Sequence, residues 1–209
     1  MSLRSNLMLA QLAIAFVRHH GVRANNGPDA NTMSEADWNK LTHCLDGQPG
    51  SVRVQFRKFC DGLGADACLQ QKGDALAKMA ALAVKGGCGN CAEQDAMVIV
   101  VLEQLQVSRI DLMNLFPNHQ VDHTFVVIGR LPNATDPAWA AAPKSNKNGS
   151  TDSDPSTWGP DAVVCDPWHD YGKAYPAAEI EQRMFRGYQS PQQNPIGGTI
   201  FPTSIWRSE

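Results

Sequence analysis

A glycine-rich turn runs directly into a cysteine at the head of an apolar segment. Residues 86–94 read Gly-Gly-Cys-Gly-Asn-Cys-Ala-Glu-Gln, and residues 96–105 are strongly apolar. This junction constrains the chain more than any other stretch. It predicts a tight turn followed by a helix, with Cys91 at the helix start. A helix N-terminus presents unpaired backbone N–H groups and a partial positive charge, and both favour a thiolate over a thiol. A cysteine so placed is a candidate nucleophile. It then needs an imidazole to take its proton, and a carboxylate or amide to fix the tautomer of that imidazole.

The downstream sequence offers both in order. Residues 108–116 read as a strand ended by Pro117. Residues 122–130, Asp-His-Thr-Phe-Val-Val-Ile-Gly-Arg, read as a largely buried strand with His123 at its start. Residues 161–166, Asp-Ala-Val-Val-Cys-Asp, form a third short strand that Pro167 breaks, with Asp166 at its end. Cys91, His123 and Asp166 are therefore the candidate catalytic residues. His169 is the reserve base, and Asp122 and Asp170 are the alternative orienters.

The first 85 residues have a different character and contain no catalytic constellation. Helical patterns run over 6–20 (capped by Ser5, stopped by Gly21), from Ser34 to Gly47 with a Ser-x-x-Asp opening, over 51–60, and over 66–84. Residues 7–17 read as a first helix rather than a signal-peptide core. They carry Gln11 and run into Arg18-His19-His20 without a small-residue cleavage site, and the stretch is short for a membrane span. Residues 131–160 are polar and rich in Pro, Asn, Ser, Asp and Lys, which predicts an insertion or mobile loop. Residues 179–185 read as a short helix, and 197–206 as an edge strand or a cover for the core. The predicted organisation is a helical part, 1–85, and a catalytic core, 86–209, forming one compact unit.

Composition narrows the function. With 209 residues, 43% hydrophobic and 19% charged, the chain can bury a core. A net charge of −3 and the lack of a basic patch argue against nucleic-acid binding, and no stable membrane insertion is expected. Six cysteines are too few for a disulfide-built scaffold of this length. A reducing compartment fits best, with Cys60 and Cys68 able to pair after export. Cys44, Cys60, Cys68 and Cys165 read as structural. Cys88 and Cys91 form a Cys-x-x-Cys, a spacing also used by zinc and thiol-redox sites, but a second such pair is absent. No metal or cofactor is expected. Cys88 is instead a candidate redox partner that closes a reversible disulfide on Cys91.

These segments resemble the papain-like and transglutaminase-like cysteine hydrolase superfamily. Cys88-Gly89-Asn90-Cys91 is similar to its nucleophile segment, 122–129 to its histidine strand, and Cys165-Asp166-Pro167-Trp168 to the segment in which an Asn or Asp is followed shortly by Trp. The resemblance covers about residues 86–168, less the polar insertion. It implies an α+β fold, with a helical N-terminal part on a small antiparallel sheet. The Gly-Asn-Cys-x-Glu and Val-x-Asp-Pro-Trp patterns look most like bacterial toxin and effector domains, several of which deamidate glutamines of host signalling proteins, small GTPases among them. The implied protein is made in the bacterial cytoplasm and delivered into the host cytosol. A papain-like protease and a non-catalytic binding module of the same fold are the alternatives. Papain-type peptidases place a Gln six residues before the nucleophile as oxyanion donor, where this chain has Lys85. Backbone N–H groups then carry that role, with Asn90, Gln94 and Gln120 as side-chain candidates and Trp168 beside the site.

Overall fold

The apolar segment after the glycine turn becomes the central helix of an α+β fold. The computed structural model describes residues 1–27, 30–63, 72–115, 123–131, 155–168, 172–185 and 203–207. Five helices come first: α1 (Leu3–His19), α2 (Glu35–Leu45), α3 (Val52–Leu63), α4 (Lys72–Gly86) and α5 (Cys91–Gln104). Five strands follow, β1 (Ile110–Leu115), β2 (His123–Ile128), β3 (Val163–Cys165), β4 (Tyr175–Pro176) and β5 (Thr203–Arg207). They form one antiparallel sheet in the order β4-β3-β2-β1-β5. The helical N-terminal region and small antiparallel sheet read from the sequence are both present.

Helix α5 is buried nearly all round, from Cys91 to Leu102, as expected of a helix whose apolar residues do not keep to one stripe. Its packing partners are α1, α4 and β2. Alternation along the strands then divides the core into two layers. Ile110, Leu112, Val126, Ile128, Val163 and Cys165 face the helices, joining Ala10, Ile14 and Val17 of α1 and Met97, Ile99 and Leu102 of α5. Met113, Phe125, Val127 and Val164 face the other way, onto Trp158, Tyr175, Ile180 and Met184. Every residue of β2 is therefore buried, and its unbroken apolar run reflects cover on both faces.

Several local details depart from the sequence expectations. Helix α1 begins three residues before residue 6, and Ser2 rather than Ser5 is its cap, accepting from Ser5 N at 3.3 Å. Ser2 has the extended backbone a cap needs, while Ser5 lies inside the first turn. Ser34 caps α2 through Asp37 N as expected. Of the stretch 131–160, the described residues 155–160 are anchored to the core by one side chain. Pro155–Thr157 forms a 3-10 turn, and Trp158 is fully buried with the Arg130 guanidinium 5.9 Å from its ring. Residues 179–185 are divided between a 3-10 turn, Ala177–Glu179, and a π-helical turn, Glu181–Phe185. The C-terminal stretch does supply an edge strand, β5, paired with β1.

The cysteines require a correction. Cys88 is disulfide-bonded to Cys44 of α2, and Cys91 is in no disulfide, so Cys88 is not paired with Cys91. Cys60 is also disulfide-bonded. Cys88 and Cys91 are three residues apart but point to different places. The turn sends Cys88 into a small core with Leu41, Leu45, Val52 and Leu82, between α2 and α4. Cys91 starts the helix and faces the sheet. Cys165 is a buried free thiol that donates to Ala10 O at 3.4 Å, in keeping with its structural reading. Cys68 lies outside the described residues.

Candidate active site

The turn before α5 is held from three sides. Gly87 has a positive φ of 70°, which a glycine adopts without strain. Gly89 lies so close to its neighbours that a Cβ there would come within 2.8 Å of Glu93 Cβ and 3.0 Å of Val22. The segment after α1 is strapped alongside, with Arg23 N donating to Gly87 O and Gly89 N donating to Arg23 O. Inside the turn Asn90 N donates to Glu93 Oε2 at 2.9 Å, half of a capping box. The buried Glu93 carboxylate is in turn paired with Arg53 of α3 at 2.8 Å. The capping box, α3 and the strap thus fix where Cys91 begins α5.

The three candidate catalytic residues come together. His123 and Asp166 are almost fully buried, and His123 Nε2 lies 2.7 Å from Asp166 Oδ2. The register that sets Val126 opposite Cys165 brings the start of β2 beside the end of β3, which is why residues 43 apart in sequence meet. The other Asp166 oxygen accepts from Trp168 N at 3.0 Å. The Trp168 ring lies 4.8 Å from the His123 ring, tilted against it. With Nε2 engaged by Asp166, the ring nitrogen left over is Nδ1, and Cys91 lies close enough to His123 for each to shift the other's titration.

Electrostatics favour the charge-separated form of this pair. Burial by itself pushes the Cys91 thiol up, but the His123 ring and the Thr124 N–H and hydroxyl outweigh it and bring the thiol below its ordinary value. Burial pushes His123 down, but the Asp166 carboxylate and the neighbouring Cys91 carry it up to about 10. A depressed thiol beside a raised imidazole shifts the pair towards thiolate and imidazolium.

The supporting candidates are placed less uniformly. Asn90 uses its side-chain oxygen to accept from Asn25 N at 3.3 Å, which ties the strap to the turn. Gln94 Nε2 donates to Gly89 O at 2.8 Å, bracing the same turn. Cys91 N lies at the first position of α5, where the helix itself does not use the backbone N–H groups. Gln120, His169, Asp122 and Asp170 lie outside the described residues. Beside the site is a cleft of about 230 Å³ lined by Arg18, Arg23, Gly27, Gln94, Pro167 and Trp168. Neither arginine forms an ion pair with another described residue.

Three elements of this site were not read from the sequence: Thr124, Asp95, and the Cys44–Cys88 bond. Asp95 had a legible signal, as an acidic residue one helical turn after Cys91 and therefore on its face. Among the described residues no group of His, Cys, Asp and Glu could hold a metal ion, and no helix is long and apolar enough to cross a membrane. Comparison with protein-family models, curated proteins and solved structures yields no match.

Proposed function

We propose that the protein is a cysteine-dependent acyl-transfer hydrolase with a papain-like or transglutaminase-like core. In this reading it is a bacterial effector or toxin that deamidates a glutamine side chain of a host protein, with a small GTPase as one such target. The observation that carries the proposal is His123, held at 2.7 Å by Asp166 through Nε2, with Cys91 as its neighbour. The Cys91 thiolate attacks the carboxamide carbon, and the carbonyl oxygen takes the negative charge beside the Cys91 N–H. His123 gives its proton to the departing ammonia while Asp166 holds the ring. Water, deprotonated by His123, then cleaves the thioester, leaving glutamate and the free thiol.

Lys85 at the position of the peptidase glutamine supports deamidation over proteolysis. The two arginines of the cleft favour a target segment that carries acidic residues. The disulfides at Cys44–Cys88 and Cys60 fit passage through an oxidising compartment during export.

The test is intact-mass measurement of candidate host proteins and glutamine peptides after incubation with the protein. A gain of about one dalton per site, lost in Cys91→Ala, is expected for hydrolysis of an amide to an acid. Glu-flanked peptides should react faster than Lys-flanked ones. Fragments in place of that gain would establish a peptidase, and binding with no mass change would establish a non-catalytic module.

A further inference from the structure

Helix α1 is apolar on two opposite sides, and the core uses only one of them. Ala10, Ala13, Ile14 and Val17 are buried with residues of α5 and the sheet. The helical period turns Met8, Leu12 and Ala15 directly away from that core. Met8 is 66% exposed, Leu12 53% and Phe16 38%, and Met1, just before the helix, is 58% exposed. Met8, Leu12 and Phe16 are spaced by four, so they adjoin in one stripe and are not singly scattered. A surface helix ordinarily gives its outward side to polar residues, and a helix apolar on both sides is one that is covered on both.

Charge says what covers the stripe. Arg4 precedes Met8 by one turn and continues the same row, Arg18 lies in the last turn, and α1 has no acidic residue. Both arginines are exposed, and neither forms an ion pair with another described residue. The whole chain carries a net charge of −3, so this positive helix is a local feature. Exposed apolar side chains between cations suit a surface with hydrocarbon beneath a layer of negative charge, which is an anionic lipid bilayer. A second copy of this chain fits worse. Packing one stripe on another, in either direction, sets arginine beside arginine. No described helix is long and apolar enough to cross a membrane, so α1 would lie on the bilayer with its other side still in the core.

We propose that the outer side of α1 is a docking surface for an anionic membrane. Met8, Leu12 and Phe16 enter the boundary between headgroups and acyl chains, and Arg4 and Arg18 draw the two ends of the helix to the negative headgroups. Arg18 also lines the cleft that Gln94 and Trp168 share, so docking through α1 holds that cleft beside the membrane. The binding itself is independent of any reaction at Cys91.

The experiment is flotation of the full chain with vesicles of phosphatidylcholine alone and of equal parts phosphatidylcholine and phosphatidylserine, at low and high salt. The protein should float with the phosphatidylserine vesicles, about tenfold less with phosphatidylcholine alone, and be released by salt. Met8→Ser/Leu12→Ser should lower the partition coefficient about tenfold or more, and Arg4→Gln about fivefold. Trp38→Ser removes an exposed apolar side chain of α2 and should change nothing. Each variant is checked by circular dichroism, and if the double variant misfolds, Arg4→Gln and the lipid and salt comparisons still decide. No flotation, equal flotation with both vesicles, or full flotation of the double variant overturns the proposal. So does a dimer in light scattering that Met8→Ser/Leu12→Ser dissociates, which would make a second copy the occupant. Cys91→Ala should float like the wild type, so failure of the hydrolase reading and failure of this one are read separately.

Discussion

His123 is the residue on which the candidate site turns, because two neighbours, Asp166 and Cys91, set its charge. Asp166 is fully buried and holds Nε2, and together with Cys91 it raises the imidazole to about 10 against the downward pull of burial. The sign follows directly. Below about 10 the ring is an imidazolium, and above the depressed value of Cys91 the sulfur is a thiolate, so the pair exists between the two. Asp166→Asn keeps the hydrogen-bonding shape and removes the charge. The imidazole should fall and the thiol should rise, each by about one to three units on the usual scale of a close charge partner. Alkylation of Cys91 near neutral pH should then slow by about tenfold or more. An unchanged pH profile would remove Asp166 from the role of orienter. Of this site, Cys91, His123 and Asp166 were legible because each sits at the end of an element with a strong sequence signature. Thr124 was not, since a threonine in a β-branched strand looks the same whether it packs or donates.

At the scale of elements, the turn before α5 depends on attachments that are remote in sequence. The Cys44–Cys88 bond joins α2 to that turn across a separation of 44 residues. Closing a loop of that length in the unfolded chain is worth about 4 kcal/mol in the chain-entropy view, with measured effects usually about 2–4 kcal/mol. Cys44→Ser/Cys88→Ser should therefore lower the unfolding free energy by about that amount in denaturant titrations, and reductant, which also opens the Cys60 disulfide, should lower that of the wild type by at least as much. Cys91 remains available for alkylation in that variant because it is not a partner in the bond. A stability indifferent to both treatments would mean that the bond adds nothing to the fold. The Arg53–Glu93 pair is a second attachment, between α3 and the first turn of α5. Neither could be read from spacing. Cys88 lies three residues from Cys91 and 44 from Cys44, and local proximity favoured the wrong pairing. Helix direction decided otherwise, sending Cys91 towards the sheet and Cys88 towards α2.

For the molecule as a whole, the helical first part and the site-bearing second part share one core. Ala10, Ile14 and Val17 of α1 are buried with residues of α5 and the sheet. Leu3 N donates to Asp161 Oδ1 at 2.8 Å, and Asn6 Nδ2 donates to Asp161 O at 2.7 Å. Arg18 and Arg23 bring the end of α1 and its strap to the rim of the cleft. A fragment of residues 86–209 would expose the α1-facing and α4-facing sides of α5, an apolar area that water would not tolerate. It should give a poorly dispersed amide NMR spectrum, and adding residues 1–85 in trans should restore dispersion. A fragment that folded alone would show the first part to be an accessory.

The sequence by itself determined the helix-strand order, the α+β class and the three residues of the candidate site. Those depend on local periodicity, turn chemistry and the reactivity of single side chains, all of which are written in short windows. Tertiary structure alone decided that Cys88 bonds Cys44, that Trp158 is buried at the end of a polar stretch, and that Asp95 is fully buried one turn after Cys91. Each of these depends on which face an element turns to a neighbour distant in the chain. That choice is made by the packing of α5 between α1, α4 and β2, and no short window of residues records it.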